Sequence, residues 1–197
     1  MGKPLFVLAS KSPRRRELLK KIGIQAELMT ASIDESVIKD MPPEKTVSEL
    51  ALLKAMDVAK YFFGDTYVIG ADTVVYLDGE ILGKPRNIED AKRMLKNLSG
   101  KSHFVYTGYC VVHCKSGIAV SKYEKTEVFF KELSENEINA YVKTREPMDK
   151  AGAYGIQEKG SLFIEKIIGD YFNVVGLPVC ALAKLFEKEF GINLMQA

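Results

Sequence analysis

The order of apolar and amphipathic segments is the feature that most limits the folds open to this chain. An apolar run from Leu5 to Ala9 has the length and composition of a buried strand, and Ser12 and Pro13 then supply the N-cap and first position of a helix. Strand-like and helical segments continue to alternate along all 197 residues. This pattern predicts an α/β fold with a long mixed central sheet flanked by helices.

Cap and turn residues set the expected boundaries of the remaining elements. Thr46 and Glu49 have the spacing of a capping box, which predicts a helix from Thr46 to about Phe63. A strand interrupted at residues 70–73 and a hairpin at Asp78-Gly79 are expected next. The other predicted elements are a strand at 25–31, a helix from Asn87 to Leu98, two strands within 102–131, a capped helix from Ser134 to Lys143, a strand pair at 161–167 and 171–175, and a helix from Pro178.

Size and charge exclude several classes of protein. The chain is 47% hydrophobic and 27% charged, which predicts one domain over residues 1–197, with room for two lobes around a cleft. Its 28 Lys and Arg nearly balance 26 Asp and Glu, so no bulk charge recruits nucleic acid or a membrane. No signal-peptide pattern or membrane-spanning run is found, and we therefore expect a cytoplasmic protein.

Cysteine and histidine patterns favour structural roles. Three cysteines, an odd number, argue against a disulfide framework. Cys110, His113 and Cys114 lie close together, but they lack the four ligands and the spacing of a structural zinc site, so buried strand cysteines are the better interpretation. With only one further histidine, His103, a histidine-based catalytic triad is not indicated.

Three successive arginines, Arg14 to Arg16, follow the predicted helix start. The helix dipole penalises a cation there by roughly 0.3 to 1 kcal/mol at low salt. A bound anion would make the same cluster favourable, because helix N-termini bind phosphate through free N–H groups. Successive helical residues point about 100° apart, so one or two of the three should reach such a ligand. The alternative is that they are solvated and paired with Glu17 or other acids.

Asp72 is a charged residue inside the apolar run "VIGADTVVYL". An unsatisfied buried polar group costs roughly 1 to 3 kcal/mol, and a charge costs more. One interpretation is an Asp that bonds turn amides at a strand bulge. The other is a metal ligand or general base at the edge of a cleft.

Other polar residues are ordinary singly but informative together. Asp34 and Glu35 form an acidic turn, while Lys54 on a predicted helix and Lys84 before a proline would usually be solvated lysines. Together with Asp72 they match the chemistry of a phosphoanhydride, in which carboxylates hold Mg²⁺ or Mn²⁺ and cations neutralise the leaving phosphate. Gln157, in the glycine-rich "AGAYGIQ", could hydrogen-bond the edge of a nucleobase.

The motifs that carry these residues resemble the Maf family of nucleoside triphosphate pyrophosphatases. They run in family order from Leu5 to Pro178: "LASKSPRRRELL", "IDES", "LLKA", "VIGADTVVYLDGEILGKP", "AKRMLKNLSGKSHFVYTG" and "EPMDKAGAYGIQEKGSLFIEKIIGDYFNVVGLPV". The resemblance implies hydrolysis of a nucleoside triphosphate to the monophosphate and pyrophosphate in nucleotide-pool house-cleaning. It also implies a fold similar to inosine triphosphatase with a cleft between two lobes, a divalent metal cation such as Mg²⁺ or Mn²⁺, and homodimers as a common state.

The resemblance also implies roles for individual residues. Asp72 matches the proton acceptor that activates water, and Glu35 matches an acidic position of the metal site. Both are therefore expected at the metal. The remaining expected positions are the phosphate-contacting lysines Lys54 and Lys84, the phosphate-binding Ser10 and Arg15, and Arg14, Thr73 and Gln157, which resemble the base-selecting residues of the branch acting on dTTP and UTP.

Two alternatives stay open. One is a pyrophosphatase for a different nucleotide, such as methylated GTP, which would act little on dTTP or UTP. The other is a non-catalytic protein that binds nucleic acid or a division protein through the arginine cluster. The near-neutral net charge and the lack of an aromatic-basic stripe count against this second alternative.

Overall fold

The structure is a computed structural model that describes residues 4–35, 38 and 41–196. Ser36, the last residue of the predicted acidic turn, lies outside this part of the chain. The described strands are β1 (Leu5–Ala9), β2 (Ala26–Leu28), β3 (Thr66–Leu77), β4 (Glu80–Leu82), β5 (Ser102–His113), β6 (Ala119–Phe130) and β7 (Ile164–Ile168). The described α-helices are α1 (Pro13–Lys21), α2 (Pro43–Ala59), α3 (Ile88–Leu98), α4 (Glu135–Lys143), α5 (Tyr171–Val175) and α6 (Val179–Phe190).

The strands form a mixed sheet in the order β2-β1-β3-β5-β6-β7, and β4 pairs with β3. The first strand runs parallel to both β2 and β3, whereas β3 with β4 and β6 with β7 are antiparallel pairs. Parallel and antiparallel pairs in one helix-flanked sheet confirm the predicted α/β class. None of the described helices combines the length and apolar character needed to cross a bilayer.

The chain divides into two compact units. The first unit comprises Met1–Asp72, Thr107–Glu124 and Gly176–Ala197, and the second comprises Thr73–Tyr106 and Lys125–Val175. The expectation of a single domain over residues 1–197 stays a prediction.

In the first unit, helix α2 packs directly on one face of the sheet. Two glycines allow this approach: a Cβ atom at Gly70 would lie 2.2 Å from the Ala51 carbonyl oxygen, and one at Gly108 would lie 2.0 Å from the Val47 carbonyl oxygen. Such distances are far inside van der Waals contact, so only glycine permits this helix position. The fully buried Ala55 continues the small-residue contact along the helix.

The second unit has its own apolar core, in which α3 and α4 contribute Leu95, Leu98 and Ile138. Both helices begin as predicted. The Asn87 side chain accepts a hydrogen bond from the Asp90 N–H, and Ser134 and Glu137 form the reciprocal capping box. These caps stop the helices from extending toward their N-termini and fix which faces they bury.

Some expected boundaries are wrong at the start of α2 and within β3. Helix α2 begins at Pro43 and ends at Ala59, and Thr46 is not its cap. The Thr46 hydroxyl instead donates to the carbonyl oxygens of Met41 and Pro42, because a threonine inside the first turn can bond back to the preceding backbone. Strand β3 runs through residues 70–73 without the expected interruption.

Two further strand predictions also fail. The second strand covers only Ala26–Leu28 rather than residues 25–31. The segment Tyr171–Val175, predicted as a strand, is helix α5. Asp170 accounts for this, since its side chain accepts a hydrogen bond from the Phe172 N–H and so favours the start of a helix. The strand predicted at 161–167 is present only in part, as β7 (Ile164–Ile168) paired with β6, because residues 161–163 end a 3-10 helix.

Candidate active site

Asp72 and Lys54 meet where α2 crosses β3 in the first unit. Gly70 and Asp72 are two residues apart in the strand and so point to the same face. Ala51, Lys54 and Ala55 are three and four residues apart on α2 and share its sheet-facing side. Because the helix is in contact with Gly70, Lys54 reaches the aspartate, and its Nζ lies 2.6 Å from Asp72 Oδ1.

The same ammonium group also binds the acidic turn. Lys54 Nζ lies 2.7 Å from Glu35 Oε1. The Lys54 and Asp72 side chains are only 15% and 14% exposed, whereas that of Glu35 is 58% exposed. One buried cation is therefore shared by two carboxylates that come from different segments of the chain.

Ser10 lies at the adjacent strand end. Strands β1 and β3 are parallel with Ala9 opposite Gly70, so the chain leaves β1 beside the segment that leads into Asp72. The Ser10 hydroxyl oxygen accepts hydrogen bonds from the Ser12 N–H at 3.1 Å and from Arg15 Nη1 at 3.2 Å. Ser10 thus lies in the turn that connects β1 to the N-terminus of α1.

Arg15 is buried and bonded to the protein backbone. Its Nε donates to the Gly176 carbonyl oxygen at 2.7 Å, and its Nη1 donates to the Ala71 carbonyl oxygen at 2.8 Å. Ala71 immediately precedes Asp72, so the guanidinium fixes the backbone that carries the aspartate. A direct contact between Arg15 and a substrate phosphate stays a prediction.

The arginine cluster has a different environment at each position. Burial lowers the pKa of Arg15, the carboxylates of Asp72 and Glu35 act to raise it, and the charge of Arg14 acts to lower it. Arg14 is half-buried and Arg16 is exposed. The three arginines thus differ in burial, and the carboxylates of the site act on Arg15. The expectation that one or two of them reach a bound anion stays a prediction.

The remaining predicted residues belong to the second unit. Thr73 follows Asp72 in β3 and is half-buried, as is Gln157, whereas Lys84 is exposed just after β4. The Gly152 N–H donates to the Gly83 carbonyl oxygen at 3.0 Å, which ties the loop of Lys84 to the glycine-rich segment before Gln157. The roles assigned to these three residues stay predictions.

Glu146 organises the glycine-rich segment, and the sequence interpretation missed it. Its carboxylate accepts hydrogen bonds from the Tyr141 hydroxyl at 2.8 Å and from the N–H groups of Lys159 and Gly160, both at 3.2 Å. The Tyr141 hydroxyl in turn accepts from the Gly155 N–H at 3.3 Å. The buried Tyr141 and Glu146, five residues later, thus fix the loop around Gln157, and no local sequence motif predicts this pair.

The two carboxylates that contact Lys54 are ligands of the kind that a hard divalent cation such as Mg²⁺ prefers. Among the described residues no group of three or more His, Cys, Asp or Glu side chains could hold a metal ion. Asp72 and Glu35, however, both contact the same ammonium nitrogen, so two carboxylates already converge on one positive centre. Mg²⁺ in nucleotide sites is bound through one or two carboxylates, with phosphates and water completing its shell, and these two residues suit that arrangement.

Comparisons with known proteins agree on one family. The profile of the family described as Maf-like protein matches residues 5–189. A protein of Alkaliphilus oremlandii named dTTP/UTP pyrophosphatase is 50% identical over 190 residues, which cover 96% of this chain and 98% of that protein. A second dTTP/UTP pyrophosphatase, from Acetivibrio thermocellus, is 50% identical over 197 residues, covering 97% and 98%.

The solved structures that match are more distant. The Ham1 protein of Staphylococcus aureus aligns with a TM-score of 0.43 at 18% identity, covering 64% of this chain and 71% of that one. At this level the likeness supports no inference about the site.

Proposed function

The chain belongs to the Maf family, and we propose on this basis that it hydrolyses dTTP and UTP to the nucleoside monophosphate and pyrophosphate. One observation of the structure carries the proposal: Lys54 joins Asp72 and Glu35 at the carboxyl end of β1, beside Ser10 and the start of α1. Open α/β sheets bind ligands at the carboxyl ends of their strands. The near-complete coverage of relatives named dTTP/UTP pyrophosphatase supports the choice of reaction.

Hydrolysis at the α-phosphorus needs three events. A water oxygen attacks phosphorus, that water loses a proton, and the bond from phosphorus to the oxygen of the leaving pyrophosphate breaks. Asp72 is the group we assign as proton acceptor, since the described contacts engage only its Oδ1 and its carboxylate is held between α2 and β3. The strand fixes its backbone, while Arg15 fixes the preceding carbonyl group.

Positive side chains would hold the triphosphate and stabilise the charge that develops on the leaving group. Lys54, Lys84 and Arg15 are assigned this role. Arg15 adds charge to the same region and also keeps Ser10 and the Asp72 segment in place.

Glu35 and Asp72 are the residues that would hold a divalent cation. Such a cation, Mg²⁺ or Mn²⁺, would supply positive charge that offsets the charge of the triphosphate. Two carboxylates within reach of one cationic centre are the observation that favours a metal at this position.

Base selection is assigned to Arg14, Thr73 and Gln157. Gln157 presents an amide with both donors and an acceptor, which suits the edge of a pyrimidine.

A nucleotide-pool enzyme would act in the cytoplasm, and we propose a homodimer as the assembly of this protein.

The proposal is tested by a panel of nucleoside triphosphates with Mg²⁺ or Mn²⁺ and separate detection of pyrophosphate and orthophosphate. We expect dTTP and UTP to give equimolar monophosphate and pyrophosphate and the purine triphosphates to react much more slowly. Release of orthophosphate instead of pyrophosphate would contradict cleavage between the α and β phosphates.

The alternatives give different results in the same assays. A methylated GTP pyrophosphatase would turn over that nucleotide and leave dTTP and UTP nearly intact. A nucleic-acid or division-protein binder would hydrolyse none of them, and DNA binding would weaken steeply with added salt.

A further inference from the structure

The contact between Lys54 and two carboxylates raises the question of where the metal enters. Its Nζ lies 2.6 Å from Asp72 Oδ1 and 2.7 Å from Glu35 Oε1. These are the same two side chains that suit a divalent cation. The lysine ammonium therefore contacts both carboxylates that a metal would need.

We infer that Lys54 is a competitor of the divalent cation, so that the protein without nucleotide binds the metal weakly and gains it together with the triphosphate. This inference rests on the proposed function, because it takes the metal and the nucleotide of that reaction as the two ligands. It adds the order in which they bind and the residue that sets this order.

Electrostatics explains why a cation must occupy this place at all times. The Asp72 and Lys54 side chains are mostly shielded from water, and two carboxylates near each other repel strongly in such surroundings. Removing one partner of a buried ion pair leaves an uncompensated charge, which is unfavourable. Arg15 supplies part of the balancing positive charge, and the Lys54 ammonium or a metal ion supplies the rest.

The two cations cannot occupy the position together. Mg²⁺ bound to the same two carboxylates would lie close to the Lys54 ammonium, and the two positive charges would repel each other at short range. Lysine has a long flexible stem and three donors, which allow its head group to move to another anion. The triphosphate supplies that anion, and Lys54 would then pass from the carboxylates to a phosphate oxygen.

Competition of this kind couples the two ligands. A nucleotide that draws Lys54 away strengthens metal binding, and a bound metal frees Lys54 for the nucleotide by the same factor. Couplings in proteins are typically about 5-fold to 150-fold in affinity. Removing the lysine charge should therefore raise metal affinity in the protein without nucleotide by a factor in this range.

The test measures Mn²⁺ binding to the full chain without nucleotide, by the electron paramagnetic resonance signal of free Mn²⁺. Lys54→Met keeps the length of the side chain and removes its charge, and Lys54→Gln is a second neutral variant. Lys60→Met is the matched control, because Lys60 follows the same helix but contacts the single carboxylate of Asp57 with a side chain 68% exposed.

We expect both Lys54 variants to bind Mn²⁺ about tenfold more tightly than the wild type, while Lys60→Met matches the wild type. Binding by the Lys54 variants that equals or falls below the wild-type value would overturn the inference. Thermal unfolding monitored by circular dichroism confirms that each variant is folded.

If neither Lys54 variant folds, the wild-type protein with ¹⁵N-labelled lysine gives the answer. Saturation with Mg²⁺ should shift or remove the ammonium signal of Lys54, and an unchanged signal would refute the competition. Pyrophosphate release from dTTP is measured separately on the wild type. If the Lys54 variants bind Mn²⁺ more tightly but the wild type releases no pyrophosphate, the proposed function is wrong and the competition stands. If the wild type releases pyrophosphate but the Lys54 variants bind Mn²⁺ no more tightly, the competition alone is wrong.

Discussion

Asp72 in the first unit and Asp90 in the second are both shielded aspartates with cationic partners, yet their surroundings differ. Asp90 accepts from the N–H and Nε of Arg86 and from Nε and Nη2 of Arg93, at 2.9 to 3.2 Å. Each of these partners lies within four residues of it. Asp72 instead shares one lysine, 18 residues away in the chain, with a second carboxylate.

The difference separates a carboxylate with a structural role, Asp90, from the one that we propose to react, Asp72. Asp90 is saturated by fixed guanidinium and backbone donors, and these hold its pKa well below the usual range. It has no capacity left for a ligand and serves to start α3. At Lys54, by contrast, two carboxylates share one ammonium group, and this arrangement underlies the proposed binding of a metal and a triphosphate.

The largest effect should come from Asp72→Asn. If Asp72 accepts the proton of the attacking water, its loss should lower kcat for dTTP by about 10²- to 10⁴-fold. Asp90→Asn is the matched control and should keep kcat/KM near the wild-type value. Steady-state pyrophosphate release measures both. Near-normal turnover by Asp72→Asn would remove the distinction between the two aspartates.

Gly70→Ala tests the backbone contact that brings Lys54 to Asp72. The added methyl group would lie 2.2 Å from the Ala51 carbonyl oxygen and 2.9 Å from Ala55 Cβ, so α2 must move away from β3. Overpacking of this kind destabilises by about 1 to 3 kcal/mol. We expect urea unfolding to show this loss together with a lower kcat.

The control for this change is Gly83→Ala. An added Cβ atom there meets nothing within 4 Å, and the backbone is not in the left-handed region. Its unfolding midpoint should stay close to the wild type. A stable Gly70→Ala protein with normal turnover would show that the helix position does not set the site.

A smaller effect is expected from Asp90→Asn on thermal stability. The variant loses the charge-assisted bonds to Arg86 and Arg93 while it keeps a similar shape. Differential scanning calorimetry should give a lower Tm than the wild type at neutral pH. An unchanged Tm would mean that the two arginines contribute nothing that a neutral amide cannot replace.

The smallest effect is a pH dependence at the α4 capping box. Hydrogen bonds from Lys131 and Ser134 lower the pKa of Glu137 to about 2, from an ordinary value of 4.5. A depressed folded-state pKa stabilises above the unfolded value, and this stabilisation is lost as the pH falls from about 5 toward 2. The Tm difference between wild type and Glu137→Gln should therefore shrink over that range, and a constant difference would contradict it.

Local signals explain which parts of the fold could be predicted. Ser12, Asn87 and Ser134 were identifiable as caps because each satisfies N–H groups within three residues of itself. Thr46 was wrongly predicted as a cap, because its hydroxyl donates to the preceding Pro42 carbonyl oxygen. The apolar pattern after Asp170 predicted a strand, but the Asp170 side chain accepts a hydrogen bond from the Phe172 N–H and favours a helix start, which hydrophobicity alone does not indicate.

The site was only partly accessible from sequence. Asp72 could be singled out because a charge inside an apolar strand is costly. Its contact with Lys54 depends on tertiary packing, although the spacing of Gly70 with Asp72 and of Ala51 with Lys54 and Ala55 held the relevant information. The bonds from Arg15 to the Ala71 and Gly176 carbonyl groups had no sequence signal, because any residue can present a carbonyl oxygen.

The closeness of α2 to the sheet has a consequence for how this chain can vary. At Gly70 and Gly108 the strands present only hydrogen where other residues carry carbon, and peptide groups of the helix press against them. Glycine is already the smallest residue, and a larger residue at either position would clash with the backbone of the helix. The distance between α2 and β3 at Lys54 and Asp72 is thus set by main-chain atoms, so a change of side chain elsewhere in the apolar core leaves this distance unaltered.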